Sequence, residues 1–282
     1  MPPRSAPTGR QRRLGSELRK LRENAGLSTV EAARRLNVGQ SRISAIEAGR
    51  YGVSGERVRT FARAYGCDDL ALVDALADMT KGRRRHWWDE YRDILPAGLL
   101  DLAELEHHAH AIRTAQVSHL PGLLQTVDYA RAVFRQNVPE LSLSMLEHRT
   151  SHRIKRQHVI LETGTSYTAT VHEAALHMRF GGLETTRRQL VHMAETSERP
   201  NITLRIIPFS TDDCPGSGQS VLYAEGPVPS LDTVQLDSEH GSELLHSSIQ
   251  LSNYRTFLRR FEEAGLASAS ARDIIHRVLK TM

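Results

Sequence analysis

Residues 26–50, GLSTVEAARRLNVGQSRISAIEAGR, restrict the possible folds more than any other stretch of the chain. Ser28-Thr29-Val30-Glu31 is a capping box, in which the Ser hydroxyl accepts from the amide three residues on and the Glu side chain reaches back to the Ser amide. A helix starts there. With Thr29 as its first residue, small Ala33 falls where two helices must approach closely. Asn37 falls at a turn that needs a left-handed backbone, which Asn tolerates better than other non-glycine residues. Ile43 and Ile46, three apart, form the inner face of a second helix beginning near Gln40, with Leu36 and Val38 placed to close the core beneath them. The pattern predicts two short helices joined by a tight turn, a helix-turn-helix within a bundle spanning roughly Leu14 to Tyr65.

The same geometry decides what faces outward. A second helix laid in the major groove of double-stranded DNA presents its N-terminal residues to base edges. Here those are Gln40, Ser41, Arg42, Ser44 and Ala45. Gln pairs bidentately with adenine, Arg with guanine and Ser with either. Ser28 and Thr29, at the start of the preceding helix, are placed to meet a phosphate, and Arg50 after Gly49 is a second candidate phosphate contact.

Charge supports a polyanionic partner. The chain carries +4 overall, but residues 1–66 carry +9 and the remainder −5. A basic domain attracts DNA by releasing condensed counterions. No apolar run is long enough to span a bilayer, and MPPRSAPTGRQRR lacks the apolar stretch of a secretory signal, so a cytoplasmic protein, nucleoid-associated when bound to DNA, is expected. Cys67 and Cys214 are the only cysteines of the 282 residues. They offer neither a disulfide framework nor a zinc site.

Four segments are expected. Residues 1–10, rich in Pro, Ser, Thr and Gly, read as a disordered basic arm. Residues 11–80 form an all-α bundle of four or five helices, punctuated by Gly26, Gly49, Gly52 and Gly66. Residues 81–98, KGRRRHWWDEYRDILPAG, are a linker, with Trp87 and Trp88 either packed between domains or beside a pocket. Residues 99–282 are a mixed α+β regulatory and partner-binding domain. In it LLDLAELEHHAHAIRTAQ, DYARAVFRQ, LETTRRQLVHMAETS, SNYRTFLRRFEEAG and SARDIIHRVLK are helical, and TSYTATVHE, NITLRIIPF, SVLYAEG and DTVQLDS are strands.

Residues 26–50 resemble the XRE, or lambda-repressor-like, family at most of its defining positions. That resemblance implies a structural role for Glu47 and no base contact. Thr29 stands where the family usually has a phosphate-holding Gln, and Gly39 where it has a capping Ser. The rest resembles the C-terminal domain of actinobacterial antitoxin-like, WhiJ-like regulators through IRTAQVSHLPGLLQTVDYARAV, VHEAALHMRFGG, QLVHMAETSERPNITLRIIPF and SARDIIHRVL. The family's Glu after the last strand is Asp237 here. The resemblance implies a homodimer and a small partner protein encoded nearby that modulates DNA binding.

Catalysis is not expected, and neither is a metal or cofactor. His172-Glu173 begins like a zinc-protease motif, but His177 lies five residues beyond His172, where one helix face needs four. His107 and His110 can share a face of one helix with no carboxylate to complete a site. Ser217 in PGSGQS lacks a nucleophile elbow. Cys214 has acidic neighbours, Asp212 and Asp213, that raise its pKa. The leading expectation is a sequence-specific transcription regulator. The alternative is a protein- or ligand-binding sensor whose DNA-binding domain is only an anchor.

Overall fold

The computed structural model describes residues 6–81, 85–212, 214–216, 218–238 and 241–282. Ser217, Asp213, residues 1–5 of the expected arm and residues 82–84 of the expected linker lie outside the described residues. The chain divides into two compact units, Met1–Asp89 and Glu90–Met282.

The described residues of unit 1 form five helices: α1 (Gly9–Asn24), α2 (Thr29–Arg35), α3 (Gln40–Glu47), α4 (Gly55–Ala64) and α5 (Leu70–Asp78). Four starts are capped by side chains. Thr8 and Gln11 form a capping box, as do Ser28 and Glu31, while Ser54 and Asp69 accept from the amides of Arg57 and Leu72. The Thr8 box corrects the expected extent of the arm, because the helix begins at Gly9 and not beyond residue 10. Pro, Ser, Thr and Gly suggest disorder by composition, yet a Thr three residues before a Gln satisfies two helix-end amides and starts a helix. Leu18, Leu36, Ile43, Ile46, Val58, Phe61 and Leu76 fill the core. Gln40 and Ser41 stay at the surface.

The expected linker is partly structured. Trp87–Tyr91 form a 3-10 turn, and α6 (Ala97–His107) starts directly after Pro96. Trp88 is buried and meets the Trp87 ring edge-on at 5.6 Å.

In unit 2, α6 is followed by β1 (Ala111–Gln116), a 3-10 turn (Gly122–Leu124), α7 (Val127–Phe134), α8 (Leu143–Arg156), α9 (His158–Leu161), β2 (Ser166–His172), α10 (Ala174–His177), α11 (Leu183–Thr196) and β3 (Ile202–Ile207). Then come β4 (Val221–Glu225), β5 (Thr233–Ser238), β6 (Gly241–Leu245), α12 (Ser248–Glu263), β7 (Leu266–Ala267) and α13 (Ala269–Thr281). The strands form one sheet in the order β6-β5-β4-β1-β2-β3-β7. β2 runs parallel to β1 and β3, and the other neighbours are antiparallel.

Alternation along each strand sends residues to opposite faces. Ile112, Tyr167, Ala169, Val171, Leu204 and Ile206 join one core with Leu190 and Met193 of α11 and Ile274 and Ile275 of α13. Ala115, Val221, Tyr223, Val234 and Leu236 join another with Leu251, Leu258 and Phe261 of α12. The second unit is therefore α+β, as expected.

One helix assignment fails. LLDLAELEHHAHAIRTAQ is helical only to His107, and its second half is β1, because Thr114 finds strand partners on both sides, opposite Ala169 and Leu222. His107 and His110 consequently do not share a helix face, and the His110 amide donates to the Glu225 carbonyl at 2.8 Å. Asp237 lies on β5, with β6 and β7 after it, so it does not follow the last strand.

Candidate nucleic-acid interface

The two-helix unit has the local chemistry its sequence prescribes. The Glu31 amide donates to Ser28 Oγ at 3.2 Å, and the Ser28 amide donates to Glu31 Oε2 at 2.7 Å. These Ser28 contacts hold the Glu31 carboxyl below the ordinary carboxylate range. Asn37 takes φ of +51° at the turn, and Ala33, Leu36, Ile43 and Ile46 are buried.

Around α3, at about 100° per residue, Ile43 and Ile46 define the inner side, and Ser41, Ser44, Ala45 and Ala48 lie opposite. Gln40 and Arg42 flank this small-residue strip on its two edges. Gln40, Ser41, Arg42 and Ser44 are all exposed. Small side chains along the strip let the helix approach base edges closely, while its longer flanks reach sideways.

Both flanking side chains are held. Gln40 Nε2 donates to Thr29 Oγ1 at 3.1 Å, which ties the starts of α2 and α3 together. One Nε2 hydrogen and the Oε1 acceptor remain, the pair that adenine requires. The Arg42 guanidinium lies 4.6 Å over the Tyr51 ring, a cation–π contact that restrains it beside the helix. Tyr51 escaped the sequence reading because the contact depends on how the chain turns after α3. Gly49 makes that turn with φ of +69°, and the Arg50 and Tyr51 amides both donate to the Ala45 carbonyl. Arg50 itself is exposed, with no ion pair among the described residues. Ser28 is exposed and Thr29 half-buried. Gly39 offers α3 no side-chain cap, so the departure noted in the sequence is real in the structure.

What fixes α3 against the bundle is nonlocal. Arg22 on α1 donates through Nε and Nη2 to the two oxygens of Glu47, at 2.6 and 2.9 Å, and through Nη1 to the Leu27 carbonyl at 2.7 Å. Its pKa is raised, chiefly by the hydrogen bond to Glu47. Close backbone approach completes the joint: a Cβ on Gly15 would lie 2.4 Å from the Glu47 carbonyl oxygen and 2.6 Å from that of Ile46. Gly15→Ala is therefore expected to push α3 off α1, lowering stability by about 1–3 kcal/mol. Thermal unfolding of unit 1 checks this, and an unchanged midpoint would show that the two backbones part freely.

In unit 2, Glu173 Oε2 accepts from the Phe209 amide at 2.7 Å, and His177 lies 4.0 Å from Glu173. Among the described residues no group of three His, Cys, Asp or Glu side chains is placed to hold a metal ion. The Cys214 thiol has its pKa raised, and burial is the cause. No helix among the described residues is long and apolar enough to cross a membrane.

Comparison with curated proteins and with solved structures gave no match. A family model described as a helix-turn-helix domain matches residues 13–76, the region whose exposed α3 is described above. A second model matches residues 99–277, which is most of the chain and nearly all of unit 2. The chain thus carries an N-terminal helix-turn-helix DNA-binding domain, and it belongs to the family described as Domain of unknown function (DUF5753).

Proposed function

We propose that the protein is a sequence-specific transcription regulator of the XRE type, reading a double-stranded DNA operator with α3. The observation that carries this reading is the division of labour on α3. Ile43, Ile46 and Glu47 bind it to the bundle, and Gln40, Ser41, Arg42 and Ser44 are left outward. Ser28, Thr29 and Arg50 contact phosphates at its margins. Two such heads act together as a homodimer, on half-sites about one helical turn apart. Unit 2 is the regulatory part, antitoxin-like, non-catalytic and modulated by a small partner protein encoded nearby. The working compartment is the cytoplasm, on the nucleoid when DNA is bound.

Footprinting on DNA upstream of the protein's own gene tests the reading. A protected palindrome at moderate salt is expected, and its absence would favour the alternative in which the DNA-binding domain only anchors a sensor. Arg42→Ala is expected to relax selectivity at one base pair, with a loss of about 1–3 kcal/mol for the preferred base. Equal weakening on every sequence would reduce Arg42 to a phosphate contact.

A further inference from the structure

Helix α8 carries Arg149, Arg153 and Arg156 on one stripe, spaced four and three residues apart, so that successive side chains start about 5–6 Å from each other. Arg156 is neutralised. It is buried and donates through Nε and Nη2 to both oxygens of buried Glu106, at 2.7 and 2.5 Å. The other two are not: among the described residues, neither Arg149 nor Arg153 has a carboxylate within ion-pair distance.

Arg153 is nevertheless held firmly. Its Nη1 donates to Gln125 Oε1 at 2.8 Å, and Gln125 is oriented in turn by donating Nε2 to the Leu120 carbonyl at 2.8 Å. The guanidinium lies 4.7 Å over the Phe134 ring. A Cβ on Gly122 would come 3.0 Å from Nη1, so a glycine there leaves room for the guanidinium. The Nε atoms of Arg149 and Arg153 are shielded from solvent and have no hydrogen-bond partner. With the Asn137 amide turned to donate to the Phe134 carbonyl, its oxygen accepts from Arg149 Nη1 at 3.3 Å. Burial, and then the Arg156 charge, push Arg153 down to about 10, against the opposing pull of Asp237 and Glu106. Glu106 is already occupied by Arg156, and Asp237 is exposed and accepts from Gln235.

A half-buried guanidinium that is held in place by its neighbours and has no carboxylate beside it keeps free N–H donors for an anion from solution. We propose that Arg149 and Arg153 form an anion site in unit 2 that takes the phosphate group of a small phosphate monoester. Two guanidiniums one turn apart balance a dianion and bond different oxygens of a tetrahedral group, whereas a planar monoanionic carboxylate satisfies one fork. Both side chains are only half-buried, so an anion reaches them without unfolding. His119 lies close enough to Arg153 for that charge, after burial, to lower its pKa, and its ring stacks on Phe180 at 4.8 Å. A stacked ring pair in the neighbourhood of the cation suits an ester with an organic group more than inorganic phosphate. The site belongs to unit 2 alone and does not depend on the DNA-reading role of α3.

Titration calorimetry of the full chain with phenyl phosphate at fixed ionic strength tests the site, with inorganic phosphate and benzoate as comparison probes. One site per chain is expected, weakened by about tenfold or more in both Arg149→Gln and Arg153→Lys. Arg153→Lys keeps the charge and loses the fork. Arg149→Gln alters a half-buried side chain and is expected to melt as the wild type does without ligand, so its loss of binding reports the site and not the fold. No binding to the wild type, binding equally tight in both variants, or benzoate or inorganic phosphate bound as tightly as phenyl phosphate would each overturn the proposal.

Discussion

Replacement of Glu47 by alanine is expected to unfold unit 1 while leaving unit 2 folded. The variant removes both acceptors of the Arg22 fork, and the Arg22 and Glu47 side chains are only 7% and 8% exposed. Removing one partner of a buried pair costs about 3–5 kcal/mol, and the buried Arg22 guanidinium then keeps only the half-exposed Glu23 carboxylate at 3.5 Å and the Leu27 carbonyl. A domain of this size has a total margin of about that amount. Calorimetry should show the unit 1 transition lost at ambient temperature, together with DNA binding, and the unit 2 transition unchanged. Replacing both partners separates the charge from the shape. Arg22→Met with Glu47→Leu should restore most of the stability, since apolar residues of similar volume carry no desolvation cost. A single Glu47→Ala variant that melts like the wild type would show that Arg22 is hydrated and that the pair does not hold α3.

Acid is expected to weaken unit 2 through His152. The ring is 1% exposed, packs edge-on against Tyr91 at 5.2 Å, and has its pKa pushed to about 3 by burial first and then by Arg156, Arg153 and Lys155. The unfolded chain takes up this proton near pH 6.5 and the folded chain only near pH 3, so between those values the unfolded state binds more protons. Stability therefore rises with pH through this window and is flat above it on account of this group. The slope is about 1.4 kcal/mol per pH unit, or about 2 kcal/mol lost between pH 6.5 and 5. Carboxylates titrating below pH 5 add to the fall, so the diagnostic is a difference. Urea unfolding of His152→Leu should lose the slope between pH 5 and 6.5 that the wild type shows, and an equal slope in the two proteins would assign the effect elsewhere.

The sequence was most informative where the interactions are local. Ser28 with Glu31, Asn37 at the turn, and the Ile43–Ile46 spacing each depend on residues within one helical turn, and the structure contains all of them. Local reasoning failed where composition or periodicity stood in for a partner. Thr8 looked like part of a disordered arm until its pairing with Gln11 was seen. The run LLDLAELEHHAHAIRTAQ carried apolar residues at helical spacing, but its end is the strand β1 because β2 and β4 lie on either side of it. Strand pairing is set by residues dozens of positions away, which no short window contains.

The candidate interface divides along the same line. The identities of Gln40, Ser41, Arg42 and Ser44 and their outward positions follow from the helical repeat, so the sequence alone determined which side chains of α3 face away from the bundle. Tertiary structure decided how they are held. Thr29 holds Gln40, Tyr51 restrains Arg42, and Arg22 and Gly15 set the seat of α3 on α1. In unit 2 the chain holds Arg149, Arg153 and Arg156 at helical spacing on α8, which the sequence reading did not single out. Which of them is neutralised by Glu106 and which is left without a carboxylate is a matter of where the chain returns in space, because the energy of a charge depends on its surroundings and its partner and not on its place in the sequence.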